Sequence, residues 1–298
     1  MQNKILFAVI LLILSSFFWS GNFLTAKLAY NLNLSPLKLS FYRWLLAFII
    51  ILPFTLNSIL KNYQLIKSNL LNIIILSILG VTIFNSFTYI ALTSTIVINA
   101  SIMGSIAPLL IIFFSWLILN TKPSFFQFFG ILLSILGVVW IILKGNIINL
   151  FYLNFTPGDI WMLIAVICWG LYSVLLKKLD SSLPQIPTLT VMIFFGIIFI
   201  FPFYLYESLP NDFYPTKTSD FLMISYVAIF AGIFSFIFWN KGVSIIGANR
   251  AGVFLHLIPL FSSIWAIFIL GERFSIYHAF GISFIIFGII LANYRASK

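Results

Sequence analysis

The chain has 298 residues, of which 62% are hydrophobic and 7% are charged, and its formal net charge is +10. Soluble domains carry roughly 25% charged residues, so this composition excludes a water-soluble globule and predicts an integral membrane protein. The 16 Lys and Arg residues are scattered between apolar runs and form no basic patch, which argues against a nucleic-acid-binding protein.

Ten apolar runs, each long enough to cross a bilayer as a helix, follow one another along the chain. The predicted spans are Ile5–Ala26, Pro36–Leu56, Leu70–Leu92, Ile96–Leu119, Phe125–Leu143, Ile160–Leu176, Pro187–Tyr206, Phe221–Asn240, Ala248–Leu270 and Ile276–Asn293. Because lipid offers no hydrogen-bond partners, each span must satisfy its own backbone groups, as a helix does. We therefore predict an all-α integral membrane protein with ten transmembrane helices.

The links between the predicted spans set the topology. Thr93–Thr95 and Gly271–Ser275 are short, so the spans that flank them should be antiparallel neighbours. The longer link Lys144–Asp159 divides the chain into two halves of five spans. With a cytoplasmic N-terminus, ten basic residues lie at cytoplasmic span ends and six at outer ends. This bias predicts cytoplasmic termini and a location in the inner (cytoplasmic) membrane.

The second half repeats landmarks of the first at an offset of 149 to 151 residues. The matched pairs are Trp19 with Trp169, Lys27 with Lys177, Pro53 with Pro202, Pro108 with Pro259, Gly130 with Gly281, and Gly137 with Gly288. Chance matches among Phe and Ile are common in this composition, whereas Trp, Pro and Gly matched in the same order are not. The sequence therefore contains an internal repeat.

Each half has an odd number of predicted spans, so the second half enters the membrane upside down relative to the first. Secondary transporters use inverted repeats, in which two pseudo-symmetric halves surround a site near the midplane. The repeat thus predicts a central cavity and alternating access. A duplicated membrane protein that transports nothing is the alternative interpretation.

Several stretches carry a family resemblance. They are FFWSGNFLTAK (Phe17–Lys27), SPLKLSFYRW (Ser35–Trp44), YIALTSTIVINASIMGSIAPL (Tyr89–Leu109) and IPLFSSIWAIFILGERFS (Ile258–Ser275). On this ordered set, the chain resembles the EamA-type transporters of the drug/metabolite transporter (DMT) superfamily. The resemblance implies two EamA repeats, residues 1–148 and 149–298, with the fifth and tenth spans as peripheral scaffold. Residues 120–122 lack the Gly-Glu pair found at residues 271–273, so we expect that turn acid to be structural.

Charged groups inside a span are costly to bury, so each is a candidate for function. Arg43, about two turns into the second span, would bind a substrate carboxylate or phosphate, or it would reach the interface and tie down the first link. His256 would line the cavity and carry a proton, or it would bond a freed carbonyl on a neighbouring helix. Pro108 and Pro259 are predicted to be gating residues, or else static kinks.

Aromatic and amide side chains complete the candidate site. With Arg43 and His256, the predicted substrate-binding residues are Trp19, Asn22, Asn85, Tyr89, Trp169, Tyr172 and Trp239, and Asn240 adjoins the last of them. An amide in lipid needs a partner, so Asn85 should face the bundle interior. Each Tyr or Trp alone could instead belong to an interfacial belt. Together the set predicts an aromatic-walled cavity with a few hydrogen-bonding groups, which suits a small amphiphilic metabolite.

We therefore predict a secondary transporter of small metabolites, and the resemblance implies export of amino acids or related zwitterions. A carrier of phosphorylated or nucleotide-linked sugars would need several convergent cations, and only Arg43 and Lys241 could contribute. A polyprenyl-lipid flippase is a further alternative. An intramembrane enzyme is not indicated, because the chain has neither a His-Glu-x-x-His motif nor a Ser placed with a base.

The expected partners are a small-molecule substrate and the lipid bilayer, with no nucleic acid, cofactor, metal or catalytic residue involved. The expected assembly is a monomer or a weak dimer. No Asp or Glu lies clearly in the middle of a predicted span, whereas proton-driven carriers usually keep such a carboxylate. We therefore expect flux driven by the substrate gradient, with His256 as the only candidate for proton coupling.

Overall fold

A computed structural model describes residues 2–95, 97–209, 214–270 and 275–294 of the chain. Within these ranges all regular secondary structure is helical. The membrane segments are α1 (Gln2–Asn31), α2 (Pro36–Lys61), α3 (Leu70–Ser94), α4 (Val97–Gly104 and Ala107–Leu119), α5 (Phe125–Ile142), α6 (Pro157–Lys178), α7 (Gln185–Ser208), α8 (Thr218–Ile246), α9 (Ala248–Gly252, Val253–His256 and Leu257–Leu270) and α10 (Ile276–Asn293).

The predicted all-α fold of ten membrane helices is confirmed. Nine helical segments in the described ranges are long and apolar enough to cross a membrane. The remaining segment, α9, occupies the ninth predicted span and consists of three helical pieces in direct succession.

Some helix boundaries differ from the predicted spans. α1 continues past Ala26 to Asn31, because Lys27 does not break a helix, and the chain turns only at Asn33, whose φ is +67°. α6 begins at Pro157 rather than Ile160, because Asp159 accepts a 2.6 Å hydrogen bond from the backbone N–H of Thr156 and caps the helix.

The links contain helical pieces that the hydropathy pattern does not predict. A short α-helix at Tyr63–Ser68 precedes α3. A 3₁₀ helix at Ile147–Tyr152 occupies the middle of the link between the halves. The Gly-Glu turn predicted at residues 271–273 lies outside the described residues.

The bundle exposes large apolar side chains on its outside, as expected of a protein dissolved in lipid, and buries a few polar side chains within a mainly apolar core. Large side chains on the outer faces are exposed, including Phe54 and Phe203 at 85% and 60%. The interior instead contains Arg43 and His256, both fully buried, and Asn85 at 1% exposure. Candidate functional groups are therefore collected in the interior of the bundle.

The most extensive helix pair in the described structure is α5 with α10. Gly130 packs against Gly288, and Gly137 packs against Gly281, so the two helices run antiparallel. A Cβ on Gly288 would lie 2.5 Å from the carbonyl oxygen of Gly130, and a Cβ on Gly137 would lie 2.6 Å from that of Gly281. Only glycine allows this close approach of the two backbones.

In the described part of each half, one π-helical stretch occurs at an equivalent position. It covers Ser77–Ile83 in α3 and Val227–Phe234 in α8, which begins 150 residues later. Asn85 and Ser235, also 150 residues apart, each donate a side-chain hydrogen bond to the carbonyl five residues earlier, at 2.7 Å and 2.9 Å. The wider π turns thus direct backbone carbonyls toward side chains in the interior.

α4 and α9 are interrupted at equivalent points. α4 stops at Gly104 and resumes at Ala107, so that Pro108 falls in the first turn of the second piece, where its missing N–H is tolerated. In α9 the 3₁₀ turn Val253–His256 comes just before Pro259. Discontinuous membrane helices of this kind free backbone groups near binding sites in transporters.

Candidate substrate site

A small cavity lies between α1, α3, α4, α6 and α9. Trp19, Asn22 and Trp169 line it, as does Pro259. The rest of its wall comprises Phe23, Phe84, Thr88, Ser101, Gly104, Ser105, Ala107, Met162, Val166, Leu255 and Ile258. Its volume of about 60 Å³ holds a few water molecules, whereas sites for small organic ligands occupy roughly 300–1,000 Å³. An organic substrate therefore enters this cavity only after the surrounding helices move.

Aromatic rings surround one end of the cavity. The indoles of Trp19 and Trp169 meet edge to face with 5.0 Å between ring centroids. Tyr172 stacks on Trp169 at 5.1 Å, and Trp239 lies 5.6 Å from Trp19 and 5.5 Å from Trp169. Tyr172 and Trp239 are not among the cavity-lining residues, so they form the layer behind its wall.

Arg43 is the centre of a buried polar network beside the cavity. Its Nη1 donates to Oδ1 of Asn85 at 2.5 Å and to the hydroxyl of Tyr89 at 2.7 Å. Its Nη2 donates to the carbonyl of Ala231 in the π-helical stretch of α8 at 2.8 Å. The guanidinium also lies 4.7 Å from the ring of Trp44, within cation–π range.

Tyr89 connects this network to the cavity. Because its hydroxyl oxygen accepts a hydrogen bond from Arg43, its proton is available for Oδ1 of Asn22, at 2.7 Å. This donation fixes the orientation of the Asn22 amide, whose nitrogen then faces away from the tyrosine. Arg43, Asn85 and Tyr89 do not line the cavity, and their network meets it through the hydrogen bond from Tyr89 to Asn22.

The charge of Arg43 has no carboxylate partner among the described residues. Its hydrogen bonds go to an amide, a phenol and a backbone carbonyl, and its Nε is buried without any partner. A buried cation without a counter-charge costs several kcal/mol. Gly232 lies beside this atom: a Cβ on Gly232 would lie 3.6 Å from Nε and 3.1 Å from the carbonyl oxygen of Val227, so an anion reaches Nε only after the helices move. The site is therefore electrostatically suited to an anion.

The second half contains a matching tyrosine–asparagine pair with the two residue types exchanged. Tyr172 of α6 donates to Oδ1 of Asn240 of α8 at 2.9 Å. Tyr172 is 150 residues after Asn22, and Asn240 is 151 residues after Tyr89. The two hydrogen bonds therefore occupy equivalent places in the two halves.

The lysines of the repeat are also equivalent in structure. Nζ of Lys27 donates to the carbonyl of Leu92 at 2.8 Å, and Nζ of Lys177 donates to that of Ser244 at 3.2 Å. Each carbonyl lies in the last turn of a helix, α3 or α8, where a cation is favoured. Lys27 and Lys177 thus stabilise helix ends.

An open vestibule leads inward from the side of the membrane on which α1 begins, which we call the terminal side. The vestibule has a volume of about 450 Å³ and reaches Asn240 and Met192. Lys177, Lys241 and Asp180 lie along it. The side-chain hydroxyl and the backbone N–H of Ser182 hydrogen-bond to Asp180 and lower the pKa of its carboxyl group.

A second vestibule of about 620 Å³ opens on the opposite, distal side, between the end of α1 and the beginnings of α2 and α8. It is lined by Lys38, Lys217 and Asp220, among others, but not by Arg43 or Tyr89. The Arg43 network is therefore closed to the distal side, while Asn240 is reached from the terminal side.

His256 lies outside the cavity wall. Its Nδ1 is 2.7 Å from the hydroxyl of Ser134 in α5, and its Nε2 is 3.0 Å from the carbonyl of Ser105 in the interruption of α4. A carbonyl only accepts, so Nε2 carries the proton that it donates, and both ring nitrogens are engaged. The contact with Ser134 also corrects the expectation that no Ser is placed with a base, and both side chains are fully buried. Of the two interpretations offered for His256, this geometry matches the one in which it bonds a carbonyl on a neighbouring helix.

Thr88 and Ser101 are polar cavity residues that the sequence patterns above do not single out. Thr88 follows Asn85 by three residues, so both lie on one face of α3. Ser101 precedes Gly104 and Ser105 at helical spacing. Helical periodicity, counted from the predicted interior residue Asn85, could therefore have located Thr88.

The sequence profile of the EamA-like transporter family matches residues 6–143 and, a second time, residues 156–294. The chain belongs to the EamA-like transporter family. The resemblance found in its motifs is thereby confirmed, together with the two-repeat architecture.

Relatives of this EamA-like transporter carry names that specify transport without a substrate. "Uncharacterized transporter YyaM" of Bacillus subtilis is 27% identical over 287 residues, covering 95% of this chain and 92% of the relative. An "Uncharacterized transporter" of Archaeoglobus fulgidus is 29% identical over 290 residues, covering 95% and 96%. The family and these names establish a multi-pass membrane transporter and indicate transport rather than catalysis.

A solved structure described as "Crystal structure of protein" has the same fold as this EamA-like transporter. The TM-score is 0.74, with 18% sequence identity, and the match covers 98% of this chain and 97% of the other. The helical arrangement described above is therefore one that is found in a solved structure.

Proposed function

We propose that this EamA-like transporter exports amino acids or related zwitterions across the cytoplasmic membrane, by alternating access of two inverted repeats. The observation that carries the proposal is the buried guanidinium of Arg43, which no described carboxylate neutralises. In this proposal the substrate carboxylate supplies the missing counter-charge. Arginine suits this role because it offers paired donors and keeps its charge when buried.

The number of cations favours a single carboxylate over a phosphorylated ligand. Lys241 lines the terminal-side vestibule, whereas Arg43 lies in a buried network and lines neither vestibule. No Lys or Arg lies among the residues that line the small cavity, and Arg43 is connected to it through Tyr89 and Asn22. One guanidinium with neutral hydrogen-bonding groups around it fits the carboxylate of a zwitterion, and the aromatic walls fit an apolar side chain.

The pairing of structural features between the halves supports alternating access. The antiparallel packing of α5 and α10 is what an inverted repeat requires, because these helices are equivalent members of the two halves. The interruptions of α4 and α9 at Pro108 and Pro259 provide equivalent places where each half could bend. We assign gating to these two interruptions, and scaffold work to α5 and α10.

The terminal side is proposed to be cytoplasmic, since the excess of basic residues lies there. Flux is proposed to follow the substrate gradient. Among the residues that the structure describes, His256 is the candidate proton carrier that we take from the sequence, and both of its ring nitrogens are already engaged.

The test is counterflow in proteoliposomes with neutral and aromatic amino acids, a polyamine and a nucleotide sugar. Saturable exchange of an amino acid is expected. Arg43→Ala should abolish it, and Arg43→Lys should retain part of it, because a lysine keeps the charge but loses the paired donors. The matched control is Lys178→Gln, which removes an exposed cation that lines neither the cavity nor the vestibules.

The exchange rate of each amino acid is compared with that of its amide, which distinguishes loss of carboxylate binding from general loss of transport activity. Wild type should prefer the acid, and Arg43→Met should abolish this preference, whereas a misfolded variant would lose both substrates equally. Exchange of the nucleotide sugar alone would contradict the proposal. Amino-acid exchange that Arg43→Met leaves unchanged would remove Arg43 from the site.

A further inference from the structure

Each asparagine of the two tyrosine–asparagine pairs has an unused donor. Asn22 and Asn240 are 5% and 7% exposed, and each uses its Oδ1 to accept a tyrosine hydroxyl. Within the described part of the chain, neither side-chain amide nitrogen donates to another residue. Neither nitrogen is among the fully buried side-chain atoms that lack a partner, so each remains accessible from the open space that its residue lines, and an external acceptor can bond it there.

Both asparagines border open space, on opposite sides of the indole of Trp19 along α1. Asn22 lines the small cavity, and Asn240 lies at the inner end of the terminal-side vestibule. The antiparallel contacts of α1 and α8 fix this order. Ser15 bonds the carbonyl of Ser235, and Trp19 bonds that of Ala231 farther along α1, so Asn240 lies on the terminal side of Trp19.

We infer that Asn240 is a second substrate contact, the terminal-side counterpart of Asn22, and that Tyr172 is its positioning residue. The inference rests on the proposed function. It adds Asn240 as a substrate contact and states from which side of the membrane each asparagine contacts the substrate. When the transporter opens to the terminal side, the amide nitrogen of Asn240 donates to a carboxylate oxygen of the substrate. When it opens to the distal side, Asn22 does so, together with Arg43.

The two contacts differ in charge. The position equivalent to Arg43 in the second half is Met192, 149 residues later, and Met192 also lies on the terminal-side vestibule. The distal contact therefore combines an amide with a guanidinium, whereas the terminal contact has an amide beside a thioether. A carboxylate should be distinguished from an uncharged amide more strongly on the distal side.

The test measures half-saturation of initial uptake from each side, in right-side-out and inside-out membrane vesicles, with an amino acid that wild type exchanges. Asn240→Ala should raise the terminal-side KM about tenfold, the effect of one lost hydrogen bond, and leave the distal KM nearly unchanged. Asn22→Ala should do the reverse. Tyr172→Phe should shift the terminal-side KM in the same direction as Asn240→Ala, which a purely structural hydroxyl would not do.

Tyr226→Phe is the matched control. Its hydroxyl donates to the carbonyl of Phe18 at 2.9 Å and belongs to neither pair, so the ratio of the two KM values should stay at the wild-type value. Equal changes on both sides in Asn240→Ala and Tyr172→Phe would overturn the inference and make the pair structural. Failure of wild type to exchange any amino acid would overturn the proposed function itself, a result seen before any variant is compared.

Discussion

The indole of Trp19 meets the indole of Trp169 edge to face, with 5.0 Å between ring centroids and 87° between ring planes. These residues are equivalent members of the two halves, so the contact lies where the halves face each other at the centre of the bundle. The two differ in their polar atoms. Nε1 of Trp19 donates to the carbonyl of Ala231 at 3.0 Å, whereas Nε1 of Trp169 is buried without a partner in the described structure.

This difference predicts unequal costs for the same substitution. Both substitutions replace the indole by a smaller phenyl ring, but only Trp19→Phe also removes a hydrogen bond. We expect Trp19→Phe to lower the free energy of unfolding by about 1 kcal/mol more than Trp169→Phe does. Thermal unfolding of the two variants in the same detergent measures the difference. An equal loss, or a larger loss in Trp169→Phe, would mean that the bond to Ala231 contributes nothing.

The sequence predicts the framework of the fold because its signals are strong and local. Ten apolar runs identify the helices, and the matched tryptophans, prolines and glycines identify the repeat. The π-helical stretches at Ser77–Ile83 and Val227–Phe234 leave no such signal, because one wider turn inside an apolar run changes neither its length nor its hydropathy. They become visible only through the five-residue hydrogen bonds of Asn85 and Ser235.

A carboxylate placed next to Arg43 should compete with the substrate for the guanidinium. Asn85 accepts the 2.5 Å hydrogen bond from Nη1, so Asn85→Asp would put a negative charge at that place. We expect this variant to remain folded and to raise the KM for an amino acid at least about tenfold, with little effect on its amide. Counterflow with the acid and the amide provides the measurement.

Asn85→Ala is the control for that prediction, because it removes the same acceptor without adding charge. Asn85→Ala should raise the KM of the amino acid and the KM of its amide to a similar extent. If Asn85→Asp left the preference for the acid intact, the guanidinium would not be the group that recognises the carboxylate.

The glycine contacts between α5 and α10 predict a position-dependent effect of adding one methyl group. In Gly288→Ala the new Cβ would meet the carbonyl oxygen of Gly130 at 2.5 Å, so the two helices must separate. We expect a loss of about 1–3 kcal/mol in the free energy of unfolding. In Gly104→Ala the nearest atom is Cε of Met162 at 3.8 Å, an ordinary contact, so little loss of stability is expected. Thermal unfolding in detergent compares the two, and equal stability would contradict the packing described here.

The candidate site is harder to predict than the fold, because residue type alone does not reveal which side chains meet. Tyr89 and Tyr172 are not equivalent to each other, and a search for identical residues at the repeat offset misses both. Their partners explain why: Asn22 aligns with Tyr172, and Tyr89 aligns with Asn240, so the hydrogen bond is repeated while the residues are exchanged. The equivalence becomes visible only when the hydrogen bonds Tyr89–Asn22 and Tyr172–Asn240 are compared in the folded structure.

His256 provides a test that separates support of the helices from proton transport. His256→Gln can keep both hydrogen bonds, since its amide can donate to the carbonyl of Ser105 and accept from Ser134. We expect it to retain stability and most of the flux, with the same dependence on pH as wild type between about pH 6 and 8. His256→Leu leaves both partners unsatisfied and should lower the free energy of unfolding by about 1–3 kcal/mol for each.

Initial rates of counterflow and thermal unfolding of both His256 variants provide the data. If His256→Gln were stable but lost flux, or if an imposed pH gradient drove accumulation in wild type and not in His256→Gln, the histidine would be a proton carrier and not a support for the interruption of α4.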